Sequence, residues 1–293
     1  MAEFGETSGG AAAFKDSKGI SMKVSITATI LASAMIFGTP AAYAACSNTS
    51  AGFNQFKKNF AAKAKRNGIG RKGVKVLMDA KYSNSVIKFD RRQAKFFKSA
   101  GRSKTNFNSF YSKKTKGLAP RVKRALSKNK RLFRSLEKNF GVQKEVLATI
   151  WGMETNFGGY TGKIDTMNAL ATLTHDCRRT GLFSKNLLAA MKIYDKGWIS
   201  RAAMKGAGHG ELGQMQFMAE NYLKYAIDYN NDGKRDLVRS RADALASAAN
   251  FLVRNGWQRM GSYQPGSKNF RVLNSWNEST AYQQTIAKFA ASL

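Results

Sequence analysis

Acid and proline are the scarce commodities of this chain. Its 293 residues include three prolines, two cysteines and two histidines, and only 18 Asp and Glu stand against 49 Lys and Arg. With so few prolines, long stretches can run as helix. Alternating strand patterns are equally scarce, so the periodicity predicts a mainly α protein. No apolar run reaches the ~20 residues that a comfortable membrane span needs. Neither an internal repeat nor a long low-complexity linker interrupts the sequence, and the length fits one large domain or two modest ones. What is present includes 43% hydrophobic residues, enough for a real core.

The net charge of +31 is unevenly placed. Residues 46–140 carry 27 cations against three acids, Asp79, Asp90 and Glu137, and residues 141–293 carry 19 against 12. A basic half of this kind attracts a polyanion such as nucleic acid, anionic lipid or an anionic cell wall. The plain alternative is a set of solvated Lys-rich helix faces with no particular ligand.

The amino terminus narrows the choice. Residues 1–21 read as a polar leader of uncertain origin. Residues 22–44 then have the layout of an export signal: Met22-Lys23, an apolar centre from Val24 to Phe37, Pro40, and an A-x-A exit at Ala42-Tyr43-Ala44. Cleavage after Ala44 is expected, which argues against nucleic acid and for an exported, periplasmic protein. Cys46 also admits a lipoprotein reading, against which stands Tyr43, where an aliphatic residue would be expected. An uncleaved anchor is the other competing picture. In an oxidising compartment Cys46 and Cys177 are expected to pair. A bridge across 131 residues contributes on the order of 4–5 kcal/mol in the chain-entropy account.

Helical stripes mark the core. Phe53, Phe56 and Phe60 recur at helical spacing, as do Phe133, Leu136 and Phe140, and an apolar run extends from Val74 to Met78. Tyr282, Ile286 and Phe289 predict a closing helix within 276–290. Between these lies IWGMETNFGGYTG, residues 150–162. The run Val142–Met153 reads as a helix, and Glu154 continues the face of Val142, Val146 and Ile150, with Gly158-Gly159 as the stop. Lost hydration and the negative end of a helix dipole both raise such a carboxyl's pKa, which suits a general acid.

Three further segments accompany it. KGAGHGELGQMQF (205–217) is a glycine-rich loop in which Gln214 and Gln216 could hydrogen-bond amide-bearing sugars. Arg178 and Arg179, beside Cys177, could grip carboxylates bidentately. DYNNDGKRDLVRSRAD (228–243) has the spacing of a calcium loop, with Asp228, Asn230, Asp232 and Asp236 as ligands, although Arg239 stands where a bidentate acid belongs and Asp243 lies four residues on. A plain series of Asx turns is the alternative.

Taken in order, these segments resemble the catalytic domain of the lytic murein transglycosylase B family over about residues 47–293. The resemblance implies a lysozyme-like, goose-type or SLT-like fold with an additional basic helical region. It divides the mature chain into that region (46–140), a catalytic core (141–262) and a closing tail (263–293). Glu154 matches the family's acid/base and Gln216 a substrate-contacting glutamine, and the paired arginines, the Asp-rich loop and Asn250 with Gly256-Trp257 fall where the family has them; Tyr160 is expected as a further sugar contact. The implied substrate is peptidoglycan, cut between N-acetylmuramic acid and N-acetylglucosamine to leave 1,6-anhydro ends, with no cofactor required for the chemistry. The expected state is a monomer, with other wall enzymes as possible associates.

Departures from the family pattern also register. Ala207 replaces a serine, Phe251 replaces a tyrosine, and His209 stands in the glycine-rich loop, where it is read as structural. Many relatives append a small peptidoglycan-binding module, which is not expected here after the closing helix. Two alternatives stay open: a lysozyme-like hydrolase in which Glu211 serves as second carboxylate, and a non-catalytic basic scaffold on the wall.

Overall fold

The computed structural model describes residues 46–100 and 106–293. The leader at 1–21 and the export signal at 22–44 lie outside the described residues. Among those described, thirteen α-helices carry the fold, and the one sheet is two residues deep on each side. No described helix is long and apolar enough to cross a membrane.

The amino-terminal part consists of α1 (Phe53–Arg66), α2 (Arg71–Met78) and α3 (Asn84–Ala100). The predicted phenylalanine stripe is buried on α1, and Lys63, Lys65 and Arg66 sit in its last turn, where the helix dipole favours cations. Next come α4 (Phe107–Thr115), α5 (Leu118–Lys128) and α6 (Lys130–Phe140). Leu118 and Val122 of α5 and Phe133 and Leu136 of α6 face inward, and the cations face out.

They pack around α7 (Lys144–Thr155), of whose twelve residues eight are buried. A helix apolar nearly all round belongs in the centre of a domain. It starts two residues later than the sequence predicts, because Gln143 is extended (ψ 135) while Val142 is buried ahead of it. It ends at Thr155, before the glycines: Asn156 (φ 51) and Phe157 (φ 61) take the left-handed conformation and turn the chain.

Strand β1 (Ile164–Asp165) leads into α8 (Thr166–His175), whose first turn is capped by the Asp165 side chain accepting from Asn168 N at 2.9 Å. Helix α9 (Thr180–Asp195) packs on α8 and on α2, and β2 (Lys205–Gly206) pairs antiparallel with β1. Helices α10 (Ala219–Tyr225), α11 (Arg241–Arg254), α12 (Lys268–Trp276) and α13 (Thr280–Ala290) complete the chain. One hydrophobic core joins residues from Phe53 to Ala290.

The closing helix expected within 276–290 is α13, which starts four residues into that span. Asn277 is extended (φ −151) and Ser279 caps a new helix by accepting from Tyr282 N at 3.4 Å, so the chain breaks between α12 and α13. That break positions the site. Cys46 and Cys177 form the predicted disulfide, 131 residues apart in sequence, and Ser47 N donates to His175 O at 2.9 Å alongside it.

Candidate active site

Glu154 occupies the last turn of α7, half-buried. Two side chains donate to its Oε1: the Tyr282 hydroxyl at 2.6 Å and Trp276 Nε1 at 3.3 Å. Among the described residues no hydrogen bond reaches Oε2. Burial raises the carboxyl's pKa above the ordinary glutamate value; the bonds from Tyr282 and Trp276 and the charge of Lys114 work against this and are outweighed, and Glu211 adds a small push upward. Tyr282 is itself pushed well above the ordinary tyrosine value by burial and by Glu154, so its hydroxyl stays a donor. Trp276 is propped edge-on by Phe217 and Phe251, each with its ring centroid 5.2 Å away.

Sequence reading placed Tyr282 only in the core and did not assign Trp276. They were hidden because their role depends on the α12–α13 break, a tertiary feature. Phe251, where a tyrosine hydroxyl was expected, instead contributes an apolar wall: it lies 4.8 Å from Tyr225 and 5.9 Å from Phe217, ring to ring.

The glycine-rich loop folds back on itself rather than opening towards a ligand. A Cβ at Gly206 would overlap the Glu211 carbonyl oxygen, and one at Gly213 (φ 75) would meet the Leu237 carbonyl oxygen at 2.5 Å. Gln214, expected to reach sugar, is instead a strut. Its Oε1 accepts from Trp151 Nε1 and its Nε2 donates to Val238 O, both at 3.1 Å, and it is 7% exposed. Gln216 uses its Nε2 on Thr161 O (3.0 Å) and Gly213 O (2.9 Å), and no described donor reaches its Oε1. Asn250 donates to Tyr225 O at 2.8 Å and ties α11 to α10. Tyr160, in the loop after α7, stands 62% exposed.

The two arginines depart most clearly from expectation. Arg178 donates through Nε to Asp90 Oδ2 at 2.7 Å and through Nη2 to Oδ1, and Arg179 Nη2 donates to the same Oδ1 at 2.5 Å. The carboxylate they grip is the chain's own. His209 joins this cluster, with Nε2 3.1 Å from Asp90 Oδ1 and 3.2 Å from Arg179 Nη2, wedged between the rings of Phe89 and Phe183. Beside it Arg91 holds Asp176, at 3.0 Å and 2.5 Å. Asp90 is 1% exposed; burial alone would raise its pKa, but bonds from His209, Arg178 and Arg179 hold it far below the carboxylate range. A clue was available in the sequence: Asp90 is one of three acids among 27 cations. Glu211, the candidate second carboxylate, spends Oε2 accepting from His209 N at 3.0 Å.

In the Asp-rich loop, carboxylate oxygens of Asp228, Asp232 and Asp243 lie within 4.8 Å of one another. Asp236 is corrected out of the set, because its Oδ1 closes an Asx turn on Val238 N (3.0 Å) and Arg239 N (2.9 Å). Asn230 turns its Nδ2 onto Asp232 at 3.1 Å, and Arg239 points away to Ser200. Asp243 is fully buried, and burial raises its pKa despite backbone donors at Tyr229, Asp236 and Asn230. Three converging carboxylates, one of them costly to ionise alone, fit a hard oxygen-seeking cation.

Residues 52–266 match the family described as the transglycosylase SLT domain. The chain belongs to that family. Among SLT-domain relatives, the membrane-bound lytic murein transglycosylase B of Escherichia coli is 34% identical over 119 residues, covering 40% of this chain and 33% of that protein. The match thus spans about a third of the length of that curated relative. SltB3 of Pseudomonas aeruginosa, crystallised with NAG-anhNAM-pentapeptide, superposes with a TM-score of 0.73 at 24% identity, over 82% of this chain and 79% of that one. The E. coli lytic transglycosylase Slt35 in complex with calcium gives 0.68 at 21% identity, over 80% and 91%. These likenesses establish the lysozyme-like SLT fold that the motifs implied.

Proposed function

We propose that this SLT-domain protein is a lytic transglycosylase of peptidoglycan, cutting between N-acetylmuramic acid and N-acetylglucosamine with Glu154 as sole acid and base. The observation that carries the reading is the asymmetric clamp on Glu154. Tyr282 and Trp276 fix Oε1, leaving Oε2 as the oxygen that holds the proton, and burial favours the protonated form.

In the first half of the reaction Oε2 gives its proton to the bridging glycosidic oxygen as the bond to C1 of the muramic residue breaks. The substrate's acetamido oxygen holds the positive charge that develops at C1. In the second half the C6 hydroxyl oxygen bonds to C1 and its proton returns to Glu154. No water is added, so the two product masses sum to that of the substrate. The Tyr282 and Trp276 bonds stabilise the carboxylate during the interval between the two transfers. An intramolecular nucleophile removes the need for a second carboxylate, and the engagement of Glu211 with His209 N agrees with that. That SltB3 was crystallised with NAG-anhNAM-pentapeptide supports the same reading.

Oε1 of Gln216, the ring of Tyr160 and the side chain of Asn250 are proposed as sugar contacts, on their placement alone. Asp228, Asp232 and Asp243 would hold a calcium ion, which supplies charge neutralisation to the loop and has no place in the bond-breaking. Export to the periplasm and action as a monomer complete the proposal; the Cys46–Cys177 bridge supports an oxidising compartment. The deciding experiment is mass spectrometry of fragments released from purified wall by the protein and by Glu154→Gln. Anhydro ends made by the wild type and not by the variant are expected; reducing ends, or an unimpaired variant, would overturn the reading.

A further inference from the structure

The face formed by α4, α5 and α6 is strongly one-sided in charge. Residues 106–140 carry eleven cations and one acid, Glu137, and all eleven cations are exposed. Glu137 is already taken: its Oε1 accepts from Lys144 N at 3.1 Å. Among the described residues, none of the eleven cations has a carboxylate within 4.0 Å. In the Asp90 cluster, by contrast, Arg91, Arg178 and Arg179 share buried carboxylates. Eleven unmatched like charges repel one another across the surface and cost stability. The fold alone gives no reason for them, since the inward residues Leu118, Val122, Phe133 and Leu136 do the packing.

The face is also continuous with the Glu154 site. Helix α5 packs on α7, and Arg121 donates through Nη1 to Asn156 Oδ1 at 2.8 Å, two residues beyond Glu154. Helix α4 packs on α13, where the Phe110 ring lies 6.5 Å from that of Tyr282. Lys114 stands close enough for its charge to be felt at Glu154. At ~1.5 Å per residue, α5 and α6 are each about 16 Å long, longer than one disaccharide.

We propose that the α4–α6 face is a docking surface for the stem-peptide carboxylates of the glycan strand on either side of the bond being cut. The proposal rests on the function argued above and adds a substrate preference: strands bearing free peptide carboxylates over strands on which they are neutralised. A strand lying past Glu154 carries such peptides at regular intervals, so a row of cations engages several at once. Each contact is weak and screened, with a Debye length of about 8 Å at physiological salt, but several in register add. Anionic lipid is the competing occupant. It is disfavoured because a membrane on this face would crowd the mouth of the site that a strand must enter.

The test uses the full mature protein and a variant with Lys123, Arg124, Lys128 and Arg131 changed to Gln; all four are exposed and none makes a hydrogen bond among the described residues. Substrates are native wall and wall with its peptide carboxylates amidated by carbodiimide and ethylamine. Sedimentation with each wall reads binding, and the release of anhydro ends reads cutting. At low ionic strength the wild type should bind and cut native wall about tenfold better than amidated wall, and the variant should lose that advantage while matching wild type on amidated wall. Raising salt should erase the difference.

Equal binding to both walls at every salt, or a variant unaffected on native wall, overturns the docking surface while leaving the Glu154 chemistry intact. Absence of anhydro ends from both walls defeats the enzymatic reading instead, and the sedimentation arm still decides whether the face binds. A variant that loses binding to phosphatidylglycerol vesicles but not to wall assigns the face to lipid and overturns the proposal. Should the variant fail to fold, the salt titration of wild type on the two walls remains decisive.

Discussion

Glu154 and Asp90 are both carboxyls withdrawn from water, and they end at opposite poles of acidity. Asp90 is the more deeply buried, yet it is the one held ionised. Its partners include three guanidinium groups, those of Arg91, Arg178 and Arg179. Those of Glu154 are a phenol and an indole, donors without charge. Depth of burial sets the size of the penalty for ionisation, and the charge of the donors decides whether the penalty is overcome. The neutral clamp therefore leaves the protonated carboxyl favoured, and the cationic clamp favours the ionised one.

The largest expected effects test these two roles directly. Glu154→Gln should lower the release of anhydro ends by about 10³-fold, within the range that a general acid supplies, with unchanged circular dichroism. Asp90→Asn should destabilise the fold: the guanidinium groups of Arg91, Arg178 and Arg179, each about a third exposed, lose the acceptor they share, at a cost of about 1.5–3 kcal/mol in a denaturant titration. A stability change near zero would show that the Asp90 cluster is solvated in practice.

A subtler change should sharpen the contrast. Tyr282→Phe removes the short bond to Oε1, which favours the ionised form. The Glu154 pKa should rise further, so the alkaline limb of the pH–rate profile moves to higher pH, with a fall in rate of about tenfold from lost orientation. A merely structural role for Tyr282 would leave the limb in place.

The smallest effects lie in stability against pH. For Asp90 the folded pKa is depressed, so its contribution is complete above the unfolded carboxylate value and is lost as pH falls below it towards the folded value. For Glu154 the folded pKa is raised, so its contribution is complete below the unfolded value and disappears as pH rises through the folded one. Thermal melts of Glu154→Gln should accordingly gain on wild type between acid and neutral pH, whereas those of Asp90→Asn should converge with wild type at strongly acid pH. Calcium should raise the melting temperature of wild type by a few degrees and do nothing for Asp243→Asn.

Local signals were legible in the sequence where one element carries them. The phenylalanine stripe of α1, the apolar face of α7 and the anomalous Glu154 each follow from spacing along a single helix. Roles shared across elements were not. Gln214 reads as a sugar ligand until Trp151 and Val238, 63 and 24 residues away, are seen to occupy both ends of its amide. The arginine pair points to an anionic ligand, and spacing could not show that α3 supplies it. The fourth calcium-loop ligand by position, Asp236, turned inward to its own backbone, and Asp243 arrived from the first turn of α11. For Gln214 and the arginines, a long side chain was spent on a partner remote in sequence.

The bridge between Cys46 and Cys177 encloses every helix from α1 to α8 within one covalent ring. A protease that nicks any exposed turn inside that ring opens the backbone without releasing a fragment. On a non-reducing gel the nicked protein should still run as one species, and a thiol should split it in two. Damage on the basic side can thus accumulate while the Glu154 half remains tethered to what was cut.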